Sequence, residues 1–119
     1  MKISTDIINN CISSEEFEAL IVQAQAKDKD ALARIFDICT PVLEKYTRAN
    51  IKILPIGTDY NEVYEYVCLG FYYAITTYNL NDDMDFWEWA FMKVRYKVKK
   101  IIEPGAKLIN LINPKKDTH

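Results

Sequence analysis

The chain has 119 residues, half of them hydrophobic and 27% charged, with a formal net charge of −2. That balance excludes a disordered tail, and the length suits one domain rather than two. With only 3 glycines and 4 prolines, a fold of many short strands is short of turn residues. The three cysteines (Cys11, Cys39, Cys68) and the single histidine, His119, lie far apart and form no CxxC pair. A disulfide framework and a zinc site are therefore not expected, no cofactor is implied, and a reducing cytoplasm is the expected setting. The N-terminal segment is too polar for a signal peptide. The longest apolar run, Val67 to Ile75, is about half of a membrane span, so no membrane partner is expected.

Read in chain order, the apolar residues recur at helical intervals. Ser13 and Glu16 have capping-box spacing, and Phe17, Leu20, Ile21 and Ala24 follow as a first helix that runs to about Ala26. Lys27 to Asp30 is a polar break that also caps the next segment. There Leu32, Ile35, Phe36, Cys39, Val42, Leu43 and Tyr46 form one stripe. Pro41 lies inside it and is expected to kink the helix or begin a new one, since it removes a backbone donor. A loop is expected from Ile51 to Thr58. Asp59 and Glu62 repeat the capping spacing ahead of Val63, Val67, Gly70, Phe71, Ala74, Ile75 and Tyr78. After a turn ending in the cap residue Asp85, a fourth helix faces inward through Phe86, Trp89, Ala90, Val94, Val98, Ile101 and Ile102. Pro104 and Gly105 are expected to stop it. The predicted architecture is all-α, a compact bundle of four main helices around one core. Residues 1–14 form an extension, 15–103 the helical domain and 104–119 a basic tail.

The charge is divided. Residues 1–92 carry 7 Lys+Arg against 15 Asp+Glu, a balance of −8; residues 93–119 carry 8 against 2, a balance of +6. Such asymmetry suits a polyanion partner at the basic end, and equally a solvated helix face followed by a basic tail. An enzyme is not expected. The lone terminal His119 cannot pair with an interior nucleophile, and no glycine-rich phosphate loop exists. The acidic cluster Asp82, Asp83 and Asp85 lacks the central glycine and terminal glutamate of a calcium loop, and capping of the fourth helix accounts for it better.

The third and fourth helices resemble region 2 of bacterial RNA polymerase sigma factors. The stretch TDYNEVYEYVCLGFYYAITTYN is similar to the family's core-binding helix, from Asp59 and Glu62 to Ala74, Ile75 and Tyr78. DFWEWAFMKVRYKVKKII resembles its DNA-melting segment through Phe86, Trp89, Ala90, Val94, Arg95, Val98, Lys99 and Lys100. LIVQAQAKDKDALARIFDICTPVLEKYTR looks like the opening helices, Pro41 included. The resemblance covers about Phe17 to Ile102. Two departures stand out: Glu65-Tyr66 replaces the family's Gln-Glu pair, and no second promoter-binding domain follows. The opening helices are also similar to the short sigma-like helix-turn-helix proteins of conjugative transposons, a class of mobile element.

What the resemblance implies is a sigma-like transcription initiation module, with a four-helix fold like sigma region 2. Its partners would be core RNA polymerase, through the beta-prime subunit, and single-stranded promoter DNA at the melted −10 element. A separate chain could supply the missing promoter-binding domain. The polymerase-binding role falls on Glu62, Glu65, Leu69 and Tyr72, opposite the apolar stripe of the third helix, although Leu69 and Tyr72 would also suit packing beneath the first helix or the tail. Tyr66 and Tyr73 are assigned to the edge of the core. The DNA-binding role falls on Trp87, Lys93, Arg95, Tyr96, Lys97, Lys99 and Lys100, where cations and rings interleave. Phosphates need the former and unstacked bases the latter. Trp87 is the first candidate for stacking and Trp89 is assigned to the core. Long bases covering apolar surface would produce the same pattern. A regulatory module on a sigma-like scaffold, without DNA binding of its own, is the alternative function.

Overall fold

The computed structural model describes residue 3 and residues 5–112, with side chains as far as Ile101. Four helices follow a short 3₁₀ turn at Asp6–Ile8: α1 (Ser14–Gln25), α2 (Lys29–Ile51), α3 (Tyr60–Thr77) and α4 (Phe86–Ile112). Among the described residues there is no strand. The chain is an all-α bundle.

Side chains start each of the first three helices where the sequence predicts a cap. At α1 the Glu16 amide donates to Ser13 Oγ at 3.1 Å, and the Ser13 hydroxyl donates to the Glu16 carboxylate at 3.2 Å. At α2 Asp28 accepts from the amides of Asp30 (3.0 Å) and Ala31 (3.2 Å). Asp59 accepts from Asn61 at 3.4 Å at the head of α3, and Asp85 accepts from the Trp87 amide at 3.2 Å ahead of α4. Each bond satisfies an N–H that has no partner within its helix.

Two expected interruptions do not divide the helices. α2 runs unbroken from Lys29 to Ile51 through Pro41, because Ile35, Cys39, Leu43 and Thr47 on either side of it enter one core. Burial on both flanks outweighs one lost rung of the ladder. α4 likewise continues past Pro104 and Gly105 to Ile112, the neighbouring rungs carrying the backbone across one missing donor. The inward place expected for Ile102 lies outside the described side chains, and residues 113–119 of the expected tail lie outside the described residues.

The core is aromatic, which accounts for much of the 13% aromatic content. Phe17, Phe71 and Phe86 are fully buried. Trp87 stacks against both Phe17 and Phe71 at 6.0 Å, and Phe86 meets Phe17, Phe71 and Tyr78 edge to face. Such pairs add about 0.5–1.5 kcal/mol each beyond area burial. Every inward residue expected of α3 is buried. α3 and α4 are packed most closely, crossing at Gly70, where an added Cβ would lie 2.6 Å from Val94 Cα.

Two tethers were not legible in the sequence. Ile3, Ile8 and Ile12 from the N-terminal extension are buried in the core, and the Ser14 hydroxyl donates to the Ile3 carbonyl. The Gln25 side-chain amide donates to the carbonyls of Ile75 (2.9 Å) and Tyr78 (2.8 Å), tying the end of α1 to the end of α3.

The cysteines occupy three environments, and their reactivity should rank accordingly. Cys11 is exposed, Cys68 half-buried and Cys39 sealed in the core. Burial, with a smaller push from Cys11, raises the Cys39 thiol from 9.0 to about 12. Only the folded state resists ionisation, so this contribution to stability is whole below pH 9 and is lost as pH rises from 9 towards 12. With a maleimide at neutral pH, Cys11 is expected to label first and Cys39 only as fast as the protein unfolds. Three equal labelling rates, read by mass spectrometry, would contradict the packing of α2.

Candidate functional site

On α3 the buried residues fall on one side and leave Glu62, Glu65, Leu69 and Tyr72 on the other, spaced three, four and three residues apart. All four are exposed, Leu69 at 43% and Tyr72 at 39%. Glu65, half-buried Tyr66 and Leu69 border one shallow hollow. Tyr72 and Thr76 border another with Leu32, Lys27 and Lys29, where α1 turns into α2. Leu69 and Tyr72 therefore do not pack beneath α1. The face offers two apolar anchors, Leu69 next to Glu65 and Tyr72 beside Lys27 and Lys29, a composition suited to a protein partner.

On α4 the structure corrects the assignment of the tryptophans. Trp87 is only 4% exposed, held between Phe17 and Phe71, so it cannot receive a base. Trp89 is half-buried at the rim instead, its indole N–H donating to the Ala74 carbonyl at 3.2 Å. The core side of α4 is centred on Val94 and Val98. Trp87 precedes Val94 by seven residues and so shares that side, whereas the pattern Phe86–Trp89–Ala90 places the inward face too far round.

Helical spacing also divides the basic residues. Lys93, Lys97 and Lys100 lie on the side that carries Trp89 and Tyr96, next to α3. Arg95 and Lys99, both exposed, follow Phe91 by one and two turns on the side towards α2. The seven residues expected to act together on DNA thus separate into a buried ring and two basic rows.

The row next to α3 has organised geometry. Tyr73, Thr77, Lys93, Tyr96 and Lys97 line a groove of about 240 Å³. Lys97 Nζ sits 4.5 Å from the centre of the Tyr73 ring, Lys93 Nζ 4.3 Å from that of Trp89, and Lys100 Nζ 4.8 Å from that of Tyr96. Tyr73, expected at the core edge, is in fact 42% exposed and forms one wall; Tyr96, at 59%, is the opposite side chain of α4. Cation–π contacts of this exposed kind contribute about 0.5–1 kcal/mol each. They hold the ammonium groups near the rings, so a ligand with a flat face and a negative charge finds both together. Tyr73 was missed because its α3 position borders the apolar stripe, and only the packing of α3 against α4 leaves its ring exposed beside Lys97.

The remaining polar chemistry is structural. Asp82 and Asp85 accept from the amides of Met84 and Trp87, and the Tyr78 hydroxyl donates to the Met84 carbonyl at 2.6 Å. Burial, followed by the charges of Asp85, Asp82 and Glu18, raises the Tyr78 hydroxyl above its ordinary value. Burial likewise raises Tyr64 and Cys68, which share a hydrogen bond between α3 side chains. Among the described residues no three His, Cys, Asp or Glu side chains gather as a metal site would require. No described helix is long and apolar enough to cross a membrane. Compared with family models, curated proteins and solved structures, the chain gives no significant match.

Proposed function

We propose that the chain is a sigma-like transcription initiation module, docking on core RNA polymerase through α3 and contacting single-stranded promoter DNA beside α4. The observation that carries this reading is the exposure of two unlike surfaces on the closely packed pair α3 and α4. On one, Glu62 and Glu65 lead up to Leu69 and Tyr72, and on the other lysines lie against tyrosines. The resemblance of both helices to sigma region 2 gives those surfaces their partners. The DNA-contacting set under this reading is Tyr73, Lys93, Tyr96, Lys97 and Lys100. Trp87 is withdrawn from it by burial.

Retention on immobilised core polymerase tests the first half. Wild type is expected to be retained and Leu69→Asp/Tyr72→Asp to pass through, because charge at two exposed anchors removes affinity with little effect on folding. No retention of wild type, or equal retention of the variant, defeats the docking claim. For the second half, the logarithm of affinity for single-stranded DNA should fall with log salt by about 0.7 per phosphate contact. Lys93→Gln/Lys97→Gln should flatten that slope by about 1.4. A salt-independent response would instead favour a regulatory module that does not bind DNA.

A further inference from the structure

The second basic row lies beside a surface that the proposed function does not use. Among the described residues, the backbones of α2 and α4 nowhere come within 8 Å of each other (Cα–Cα). Large side chains bridge the gap, and Tyr46 of α2 stacks on Phe91 of α4 with centroids 5.5 Å apart and planes 11° from parallel. Above this pair lies a groove of about 300 Å³, lined by Ile7, Val42, Lys45, Tyr46, Ala49 and Phe91. Ile7 from the 3₁₀ turn borders one end. After α2 ends at Ile51, the loop carries Ile53, which is 77% exposed, and the fully exposed Ile56.

We propose that this groove is a docking site for an amphipathic helix of a partner protein, one whose apolar stripe is edged by acidic residues. Val42, Tyr46 and Ala49 are spaced by four and three residues along about 10 Å of α2. That is the stagger which accepts anchors at i, i+3 or i+4, and i+7 of a bound helix. The charge around the groove selects the partner. Lys45 lines the groove, Arg48 and Lys52 follow at helical spacing to the C-cap of α2, and Arg95 and Lys99 follow Phe91 by one and two turns of α4; all five are exposed. Two carboxylates are also near, Asp6 beside Ile7 and Glu88 three residues before Phe91, so the cations are in excess. A helix edged by acidic residues is thus attracted, and a basic one is repelled. Nucleic acid would satisfy the cations but leave the apolar floor uncovered.

The test uses the whole chain and a fluorescein-labelled helical peptide of roughly 18 residues, with leucines at three- and four-residue spacing and glutamates along both edges. Lysine replaces glutamate in the control peptide. Anisotropy is expected to give micromolar affinity, about 1–10 μM, for the acidic peptide, and no saturation with the basic one. Ala49→Glu, at an exposed position, and Arg95→Glu/Lys99→Glu are each expected to weaken binding at least about tenfold while far-UV circular dichroism stays unchanged. Amide shifts on titration should fall in residues 42–53 and 88–99. Equal binding of the basic peptide, indifference to Ala49→Glu, or shifts centred on Tyr73 and Tyr96 would each overturn the proposal. So would a concentration-dependent dimer, or capture by phosphatidylglycerol vesicles, that Ala49→Glu abolishes; these identify a second copy or a lipid surface as the occupant.

Discussion

Trp87→Ala is expected to lower the unfolding free energy by about 3–5 kcal/mol, the range for removing a large buried aromatic from a core that cannot collapse around the hole. The indole lies between Phe17 of α1 and Phe71 of α3 and meets Phe86 edge to face at 5.3 Å. Its loss therefore loosens three helices together. A domain of this size is stable by about 5–15 kcal/mol, so the loss removes a large share of that margin. Tyr96→Ala provides the contrast. Its ring is exposed, so stability should stay within about 0.5 kcal/mol of wild type. If Tyr96 stacks on a base, affinity for single-stranded DNA should fall by roughly 1–3 kcal/mol. Urea titration of both variants, with anisotropy on Tyr96→Ala, separates the roles of the two rings. A Trp87→Ala protein that unfolds at the wild-type urea midpoint would show that the indole is not in the core.

Gly70→Ala is the second change expected to act strongly, though it adds only a methyl group. The new Cβ would lie 2.6 Å from Val94 Cα and 3.0 Å from the Lys93 carbonyl oxygen. Both are backbone atoms, so no rotamer change relieves the contact and α3 and α4 must separate. Overpacking costs about 1–3 kcal/mol, more where the backbone must move. Alanine returns close to 1 kcal/mol in helix propensity. A net loss of about 2 kcal/mol is expected, near 8 °C in Tm for a chain of this length. Val94→Ala in the same chain should not restore it, because the clash is with Cα and not with the valine methyls. Rescue by Val94→Ala in a thermal melt would mean that the helices are farther apart at this crossing than described. Separation would also shift Tyr73 relative to Lys97, so loss of DNA affinity should accompany loss of stability.

How much could be read in advance differed between the helices. The buried stripe of α3 was legible: its inward residues recur at a clean helical period and every one is buried, although the exposure of Tyr73 was not foreseen. The caps at Ser13, Asp28, Asp59 and Asp85 were legible too, because a short polar side chain before an apolar period has one efficient use there. α4 was harder. It carries two tryptophans two residues apart, on well-separated sides of the helix, and its aromatic-rich start offers two overlapping apolar faces. Which face turned inward depended on where α3 lay, and the contact at Gly70 fixes that. Pro41 was expected to kink the helix or begin a new one; no new helix begins there, because burial on both flanks keeps α2 whole. The N-terminal isoleucines have no single period along the chain: Ile3 precedes the 3₁₀ turn, Ile8 lies in it and Ile12 follows it, and the turn packs against α2.

The sequence by itself determined an all-helical chain, its helix starts, the core stripe of α3 and the separation of acidic from basic residues. These follow from periodicity, capping and charge, properties of neighbours along the chain. Only the tertiary structure decided that Trp87 is sealed in and Tyr73 is not, and that the bases of α4 form two rows. The spacing that leaves a groove between α2 and α4 was decided there as well. Those outcomes depend on the distance and rotation between helices, set where Gly70 lets two backbones meet and where Tyr46 and Phe91 hold two others apart.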